Sequence, residues 1–551
     1  MYLRNWQKEA LEKMMQWLTV ERKDRHFLAN AAPGAGKTLF ACVGASRLIE
    51  AGEVDRVVVI APRAEVVNQW SLDYEKVTGR HMSKVTARDG DLTSIGLDVC
   101  ATWSAIQGLQ DAFQALCKSS RVLVICDEHH HAAVEAAWGE SADSAFTAAK
   151  FVLILTGTPL RSDGSHSIWL SHNHRGAINH PEQGTYTLTY GEAVDLNYCR
   201  PVTFHRHEGL FSVELDDTAT IQVSGQGVTD IPDNLKRVPG LQRALNFYHL
   251  ACTPQREKDG VTPLLTGYQA TMLEWGIKKL NELRLRMGNA GGLVIAPNIE
   301  VAEYMVELLE LLEGERPMLV HSQLPNPDTK IQAFRNTDKK WLVSVAMVSE
   351  GVDIKRLRVL VYLPNALTEL AFRQAIGRVV RTSDSNDDTR AYVVMPSFET
   401  FDEYARRVEE EMSPAARAEK EAPRAKKCPV CENECSLGAA ECNCCGYEFP
   451  KPATRFKTCE DCGALNPLTL KNCQNCGHPF APEISITLDQ ALRAGAIVRG
   501  MDIDEDEVQS AEKIAPTIRK RVLAAGDAKL VKVLQSLPDE SWARLKSILA
   551  S

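Results

Sequence analysis

The chain has 551 residues, 44% of them hydrophobic and 25% charged, with a net charge of −9 at pH 7. This is the composition of a folded protein of roughly three to four domains, and its acidic balance excludes a protein that coats nucleic acid by bulk charge, though not one that grips it in a local groove. No apolar run approaches the roughly 18 residues that a membrane span needs, and the amphipathic start MYLRNWQKEALEKMM lacks a secretory core, so a cytoplasmic setting without a membrane partner is expected.

The first predicted unit, residues 1–205, alternates short apolar runs with helical patterns, as a parallel α/β sheet requires. Near its start, FLANAAPGAGKTLFACVGA passes from apolar residues through Ala32, Pro33, Gly34, Ala35, Gly36, Lys37 and Thr38 into a helical stretch. Such a stretch cradles phosphate. Gly34 and Gly36 let backbone N–H groups face inward, Lys37 brings a charge to the β- and γ-phosphates, the Thr38 hydroxyl suits Mg2+, and the helix N-terminus favours an anion. The strict pattern begins with Gly, and here Ala31 stands in its place.

Ninety residues after Lys37, the buried-strand run RVLVICDEHHH carries Asp127 and Glu128. Asp127 is placed to hold Mg2+ and Glu128 to polarise an attacking water, the two carboxylate tasks of ATP hydrolysis. Trp103, Trp138 and Trp169 read as core or interface aromatics rather than wedges between bases.

Residues 206–290 begin polar and β-leaning, FSVELDDTATIQVSG, and end in a helical pattern, GYQATMLEWGIKKLNELRLRMG; they read as a bridge with a long helix. Residues 291–412 return to strand–helix alternation, a second α/β unit. Residues 413–427 are rich in Ala, Pro and charge without an apolar stripe, the composition of a flexible tether.

Ten of the 16 cysteines fall between Cys428 and Cys476, and they form a repeat offset by 31 residues. Cys428, Cys431, Cys442 and Cys445 are matched by Cys459, Cys462, Cys473 and Cys476, each half being C-x2-C, ten residues, C-x2-C-G. Two such knuckles bring four thiolates around one Zn2+, so two zinc ribbons are expected, at 428–450 and 451–485. Phe449 and Phe480 would cap cores too small to fold without metal. Cys435 and Cys444 fall outside the repeat, their counterparts being Asn466 and Asn475, and His478 is surplus to a four-cysteine site. Contact with nucleic acid, docking of a protein and a structural spacer all stay open as roles for the ribbons. Residues 486–551 read as a helical tail for a partner, with the acidic run MDIDEDEVQ as a solvated turn.

Taken together, the cradle and the carboxylate pair make the chain resemble superfamily 2 helicases of the DExH type, over residues 1–412. The other motifs of that family stand in order. Arg4 and Gln7 in LRNWQKEAL resemble the segment that reads adenine, VVVIAPRAEVVNQW resembles motif Ia, ATWSAI motif Ib, and LTGTP, with Thr156 and Thr158, the motif III that couples hydrolysis to domain movement. His130 would contact that coupler. GGLVIAPNIEVAEYMVELL resembles motif IV; VSVAMVSEGVDIKRLRVLVYL resembles motif V, with Glu350, Gly351 and Asp353 at its turn; QAIGRVVR resembles motif VI, with Gln374, Arg378 and Arg381. Within the superfamily the chain looks most like bacterial and phage DNA helicases and restriction-type motors. Ala31 and the run of three histidines after Glu128 depart from the pattern.

The resemblance implies two RecA-like lobes with ATP between them and nucleic acid across their top. Lys37, Thr38 and Asp127 would hold MgATP, Glu128 would activate water, and Arg378 and Arg381, three residues apart on one helix face, would reach the γ-phosphate from the second lobe. The expected function is an ATP-dependent DNA helicase or translocase, with DNA favoured over RNA as partner. An RNA helicase, the motor subunit of a restriction or defence system, and an ATP-switched zinc-ribbon scaffold without unwinding are the rival readings.

Overall fold

A computed structural model describes residues 3–502 except 63, 86–95, 129–135, 158–168, 173–177, 217–218, 226, 229–240, 346–353, 384–386, 418–424, 429, 432, 437–440, 443, 449–455, 459–464, 468–471, 478–479 and 481–482. His130, Thr158, Glu350, Gly351, Asp353, Cys459 and Cys462 of the expected sites therefore lie outside the described residues, as does the tail after 502.

The first lobe is a seven-stranded parallel sheet. Its strands are β1 (His26–Ala31), β2 (Arg56–Ala61), β3 (Met82–Val85), β4 (Asp98–Thr102), β5 (Val122–Asp127), β6 (Phe151–Thr156) and Thr185–Leu188. They run in the order β3-β4-β2-β5-β6-β1 with Thr185–Leu188 at the far edge. VVVIA, VLVIC and FVLIL within β2, β5 and β6 are unbroken apolar runs because helices cover both faces of the sheet. Helices α1 (Asn5–Met15), α2 (Lys37–Glu50) and α3 (Ala64–Thr78) pack here, with α2 against both α1 and α3.

The second lobe holds a six-stranded parallel sheet of Val202–His207, Ala391–Pro396, Leu357–Tyr362, Gly291–Ile295, Trp341–Ser344 and Met318–Val320, in that spatial order. The helix Tyr268–Arg284 lies on this sheet, and Gly276 allows the approach: a Cβ there would stand 3.1 Å from Val361 Cγ2. Two expectations need correcting. The boundary expected at 205/206 cuts a strand, since Val202–His207 pairs with Ala391–Pro396. The long helix expected to bridge the lobes is part of the second one.

The remaining elements also redraw the outline. Leu210–Asp216 and Ala219–Ser224 form an antiparallel pair, and Glu483–Thr487 adds to it in parallel alongside Leu210–Glu214. The segment after the ribbons thus begins as a strand, not as the start of a helical tail, and only Leu488–Leu492 is helical before residue 502. This segment then runs along the second lobe. Arg499 exchanges backbone hydrogen bonds with Asn365 (2.7 Å) and Leu367 (3.4 Å), and His249 Nε2 pairs with Asp502 at 2.9 Å. The expected tether also ends in structure: Ala425–Lys427 pairs with Glu434–Ser436. Among the described residues no helix is long and apolar enough to cross a membrane.

Candidate nucleotide and metal sites

The phosphate cradle forms where β1 hands over to α2. Gly34 and Gly36 take φ of +82° and +96°, values open to glycine and strained for other residues. Ala32 N donates to Leu188 O at 3.1 Å and Ala35 N to Ala32 O at 3.1 Å, which fixes the turn. Lys37 Nζ donates to Ala31 O at 2.9 Å, and a Cβ on Gly157, just after β6, would stand 2.9 Å from the same ammonium. Thr38 lies in the first turn of α2 and Thr156 closes β6, 2% exposed.

The segment ahead of the cradle grips it from outside. Arg4 Nη1 donates to Ala35 O at 2.9 Å and to Gly34 O at 3.3 Å, while its guanidinium lies 4.5 Å from the Tyr198 ring centroid. Burial lowers the Arg4 pKa from its ordinary value, and the neighbouring Cys199 and Tyr198 act against that. Trp6 Nε1 donates to Ala35 O at 3.1 Å. Gln7 accepts from Arg4 N at 2.8 Å and donates to Gly36 O at 2.9 Å. The Gln7 amide nitrogen thus holds the loop, while its oxygen caps the start of α1.

The carboxylate pair ends β5. Asp127 Oδ2 accepts a hydrogen bond from Trp70 Nε1 of α3 at 2.8 Å. Glu128, where the strand stops, has φ of +51°, an uncommon conformation for a non-glycine residue and one that recurs at functional sites. The register places both carboxylates at the edge that bears the cradle: Asp127 is level with Leu155 of β6, and Asn30 of β1 with Thr156.

The second lobe brings its helix Glu369–Val379 to the same edge. Arg378 is 7% exposed, and a Cβ on Gly377 would stand 2.8 Å from Pro33 Cβ. Gln374 lies on the same helix. Arg381 forms a β-bridge with Cys199 and its Nε donates to Gly377 O at 3.1 Å. A Cβ on Gly34 would stand 2.9 Å from Arg381 Cγ. Two residues outside the expected set belong to this arrangement. One is Trp70; the other is Cys199, whose buried thiol donates to Pro33 O at 3.0 Å.

A buried charge cluster anchors the arginine-bearing helix. Asp387 Oδ2 accepts from Arg200 Nη2 at 2.5 Å and from Arg358 Nη2 at 2.9 Å, and Arg200 Nη1 also reaches Val379 O at 2.8 Å. All three side chains are buried.

In the first ribbon the four thiol sulfurs of Cys428, Cys431, Cys442 and Cys445 lie within 4.8 Å of one another. Cys428 Sγ is 3.5 Å from Cys445 Sγ and Cys431 Sγ is 3.6 Å from Cys442 Sγ. Tetrahedral Zn2+ with Zn–S near 2.3 Å needs about this spacing, so the donor set fits zinc. The backbone N–H of Cys445, followed by that of Cys444, helps hold the Cys442 thiol below its ordinary pKa, although burial opposes this. In the second ribbon Cys473 and Cys476 are described, and Gly477 takes φ of +75° as Gly446 takes +72°. The hairpins Ala425–Lys427/Glu434–Ser436 and Phe456–Thr458/Leu465–Pro467 repeat the 31-residue offset of the cysteines. Cys435 is buried beside its site, and its counterpart Asn466 donates to Cys473 Sγ at 3.4 Å.

The chain is similar to known proteins. Residues 1–161 match the family described as type III restriction enzyme, res subunit, and residues 276–383 match the helicase conserved C-terminal domain. The uncharacterized protein Rv2917 of Mycobacterium tuberculosis is 30% identical over 392 residues, or 71% of this chain and 61% of that protein. The chain thus spans about three fifths of the length of that relative. The DNA 3'-5' translocase XPB2 of Sulfurisphaera tokodaii is 22% identical over 389 residues, 69% of this chain and 79% of that one. A fragment described as an HsdR subunit of a type I restriction enzyme from Vibrio vulnificus YJ016 aligns with a TM-score of 0.49 and 18% identity, over 73% of this chain and 65% of that one.

Proposed function

We propose, from the premise that this chain carries the two motor domains of a superfamily 2 helicase, that it is a DNA translocase or helicase driven by ATP hydrolysis. The observation that carries this reading is the approach of Arg381 to the glycine loop, 2.9 Å from a Cβ on Gly34. An arginine of one lobe at the phosphate loop of the other ties phosphate chemistry to the distance between lobes.

The roles follow from chemistry at each position. Backbone N–H groups of the loop and the Lys37 ammonium bind the β- and γ-phosphates, and Lys37 would exchange Ala31 O for them. The Thr38 hydroxyl and the Asp127 carboxylate are hard oxygen donors that would hold Mg2+. Magnesium bound there neutralises charge on the phosphate oxygens. Glu128 orients the attacking water and takes its proton. Arg378 and Arg381 stabilise the charge that develops on the transferring phosphoryl group, so hydrolysis waits for the lobes to close, and reopening advances the motor. Thr156, Thr158, His130, Gly351 and Asp353 are assigned to coupling and to the rim of the nucleotide cleft by their motifs. Each ribbon would hold one Zn2+ on its four cysteines, Cys459 and Cys462 completing the second with Cys473 and Cys476.

The match of residues 1–161 to a restriction subunit favours one second reading, the motor part of a restriction or defence system working with a nuclease partner. The test is ATP turnover by the zinc-loaded protein with no polymer, single-stranded DNA, duplex DNA and single-stranded RNA, beside Lys37→Ala and Glu128→Gln. Stimulation by DNA above RNA, abolished in both variants, is the expected result. Stimulation by RNA alone would move the protein to RNA helicases. Basal turnover indifferent to any polymer would make it a switch acting on a protein partner.

A further inference from the structure

The hydrogen bond from Trp70 Nε1 to Asp127 Oδ2 joins a helix to the carboxylate expected to hold the metal, across 57 positions of sequence. Trp70 is 1% exposed, and burial does not account for the bond: Trp103, also 1% exposed, leaves its indole N–H without a hydrogen-bond partner. Two other features bear on what the contact does. Asp127 closes β5, whose preceding residues are fully buried, so the carboxylate meets a low-dielectric surround on its strand side. And an indole only donates, carries no charge and does not titrate near neutral pH.

These properties suit one task. A lysine or arginine on Asp127 would fix the side chain but cancel the charge that attracts a divalent cation. A hydroxyl could rotate away or accept instead of donate. The indole N–H fixes one carboxylate oxygen while leaving the group anionic, and the rigid ring is itself held by the packing of α3. Outer-shell donors of this kind orient carboxylate ligands and tune metal affinity.

We infer that Trp70 is a positioning residue for the magnesium-binding carboxylate, acting through its indole hydrogen bond to Asp127. The inference rests on the ATPase reading above and adds to it a residue that never touches nucleotide. Loss of the N–H leaves the phosphate loop intact, so it weakens the contribution of the metal to nucleotide binding while metal-free binding persists.

The experiment is titration of the full-length protein with a fluorescent ATP analogue, with and without Mg2+, for wild type and Trp70→Phe, with thermal melting of each. The wild type is expected to bind more tightly with Mg2+, and Trp70→Phe to lose on the order of tenfold of that gain, the lower end for an outer-shell partner. Its metal-free affinity stays within about twofold of wild type, because the loop contacts are untouched. The Mg2+ concentration for half-maximal turnover rises by a similar factor. A purely structural role would lower melting without moving the Mg2+ dependence. If Trp70→Phe melts below the assay temperature, Trp70→Met, which fills space without a donor, is measured in its place. A variant that folds and keeps the full wild-type gain from Mg2+ overturns the inference while the ATPase reading stands. A wild type whose affinity does not respond to Mg2+ overturns both.

Discussion

Arg381 of the second lobe occupies the space into which a side chain on Gly34 would grow: a Cβ there would meet Arg381 Cγ at 2.9 Å and its Cα at 3.6 Å. The glycine is thus required twice, by its φ of +82° and by the arginine packed over it. The glycine loop of one lobe and an arginine of the other are fitted to each other across the lobe boundary.

Gly34→Ala tests that fit. The substitution adds a left-handed strain of about 1–2 kcal/mol and pushes Arg381 outward. Turnover is expected to fall at least about tenfold, the equivalent of 1.4 kcal/mol in the barrier, with nucleotide affinity less affected. Steady-state kinetics beside equilibrium binding separates the two, and an unchanged kcat would mean that the closed contact plays no part in the reaction.

Asp387 should be a stability residue rather than a catalytic one. Burial alone would raise its pKa, but hydrogen bonds from Arg200, then Thr389 and Ser383, outweigh it and hold the carboxyl well below its ordinary range. Its stabilising contribution is therefore present above the unfolded pKa and is lost as pH falls below it. Asp387→Asn strands two buried guanidinium groups and should cost about 3–5 kcal/mol, read as a lower urea midpoint, while ATP affinity per folded molecule holds.

His207 works at a higher pH. It is buried, with Nε2 3.0 Å from Thr271 Oγ1, and burial lowers its pKa to about 4. The unfolded chain takes up a proton near pH 6.5, where the folded chain does not. Stability should fall as pH drops from about 6.5 to about 4, by roughly 3 kcal/mol from this group in full. Urea unfolding at pH 7 and pH 5 measures it, and His207→Phe should flatten the difference. An equal slope in the variant would assign the dependence to other groups.

Zinc content checks the ribbons. The purified chain is expected to carry two equivalents by elemental analysis, and Cys442→Ser to lose one of them. Because the thiols are what brings 428–450 together, protease should then cut inside that ribbon. Turnover without polymer should survive.

The sequence made the strand–turn steps of the first lobe readable because AAPGAGKT and ICDE are local: each places its groups within one such step, and the apolar runs before them mark the strands. The ribbons were readable for a similar reason, a 31-residue repeat that returns in the spacing of two hairpins. What escaped was pairing between distant segments. VTFHRH reads as a polar stretch until Ala391–Pro396 supplies its neighbour, and EISIT is too short to declare a strand before Leu210–Glu214 exists to receive it. Trp70 sat within a recognised motif, yet nothing in NQW tells which group, 57 positions on, the indole will meet.

The return of residues 483–502 to the second lobe changes what the ribbons are mechanically. Chain enters the ribbons from the helix Glu399–Glu411 and leaves them through a strand paired to Leu210–Glu214 and a backbone bridge at Asn365 and Leu367. An arm held at one end searches a volume; a loop clasped at both ends swings only along an arc. The clasp also lies next to the start of the arginine-bearing helix, at Glu369. A load pulling on the ribbons would therefore be felt at the root of that helix, as a tug on a handle is felt at its rivets.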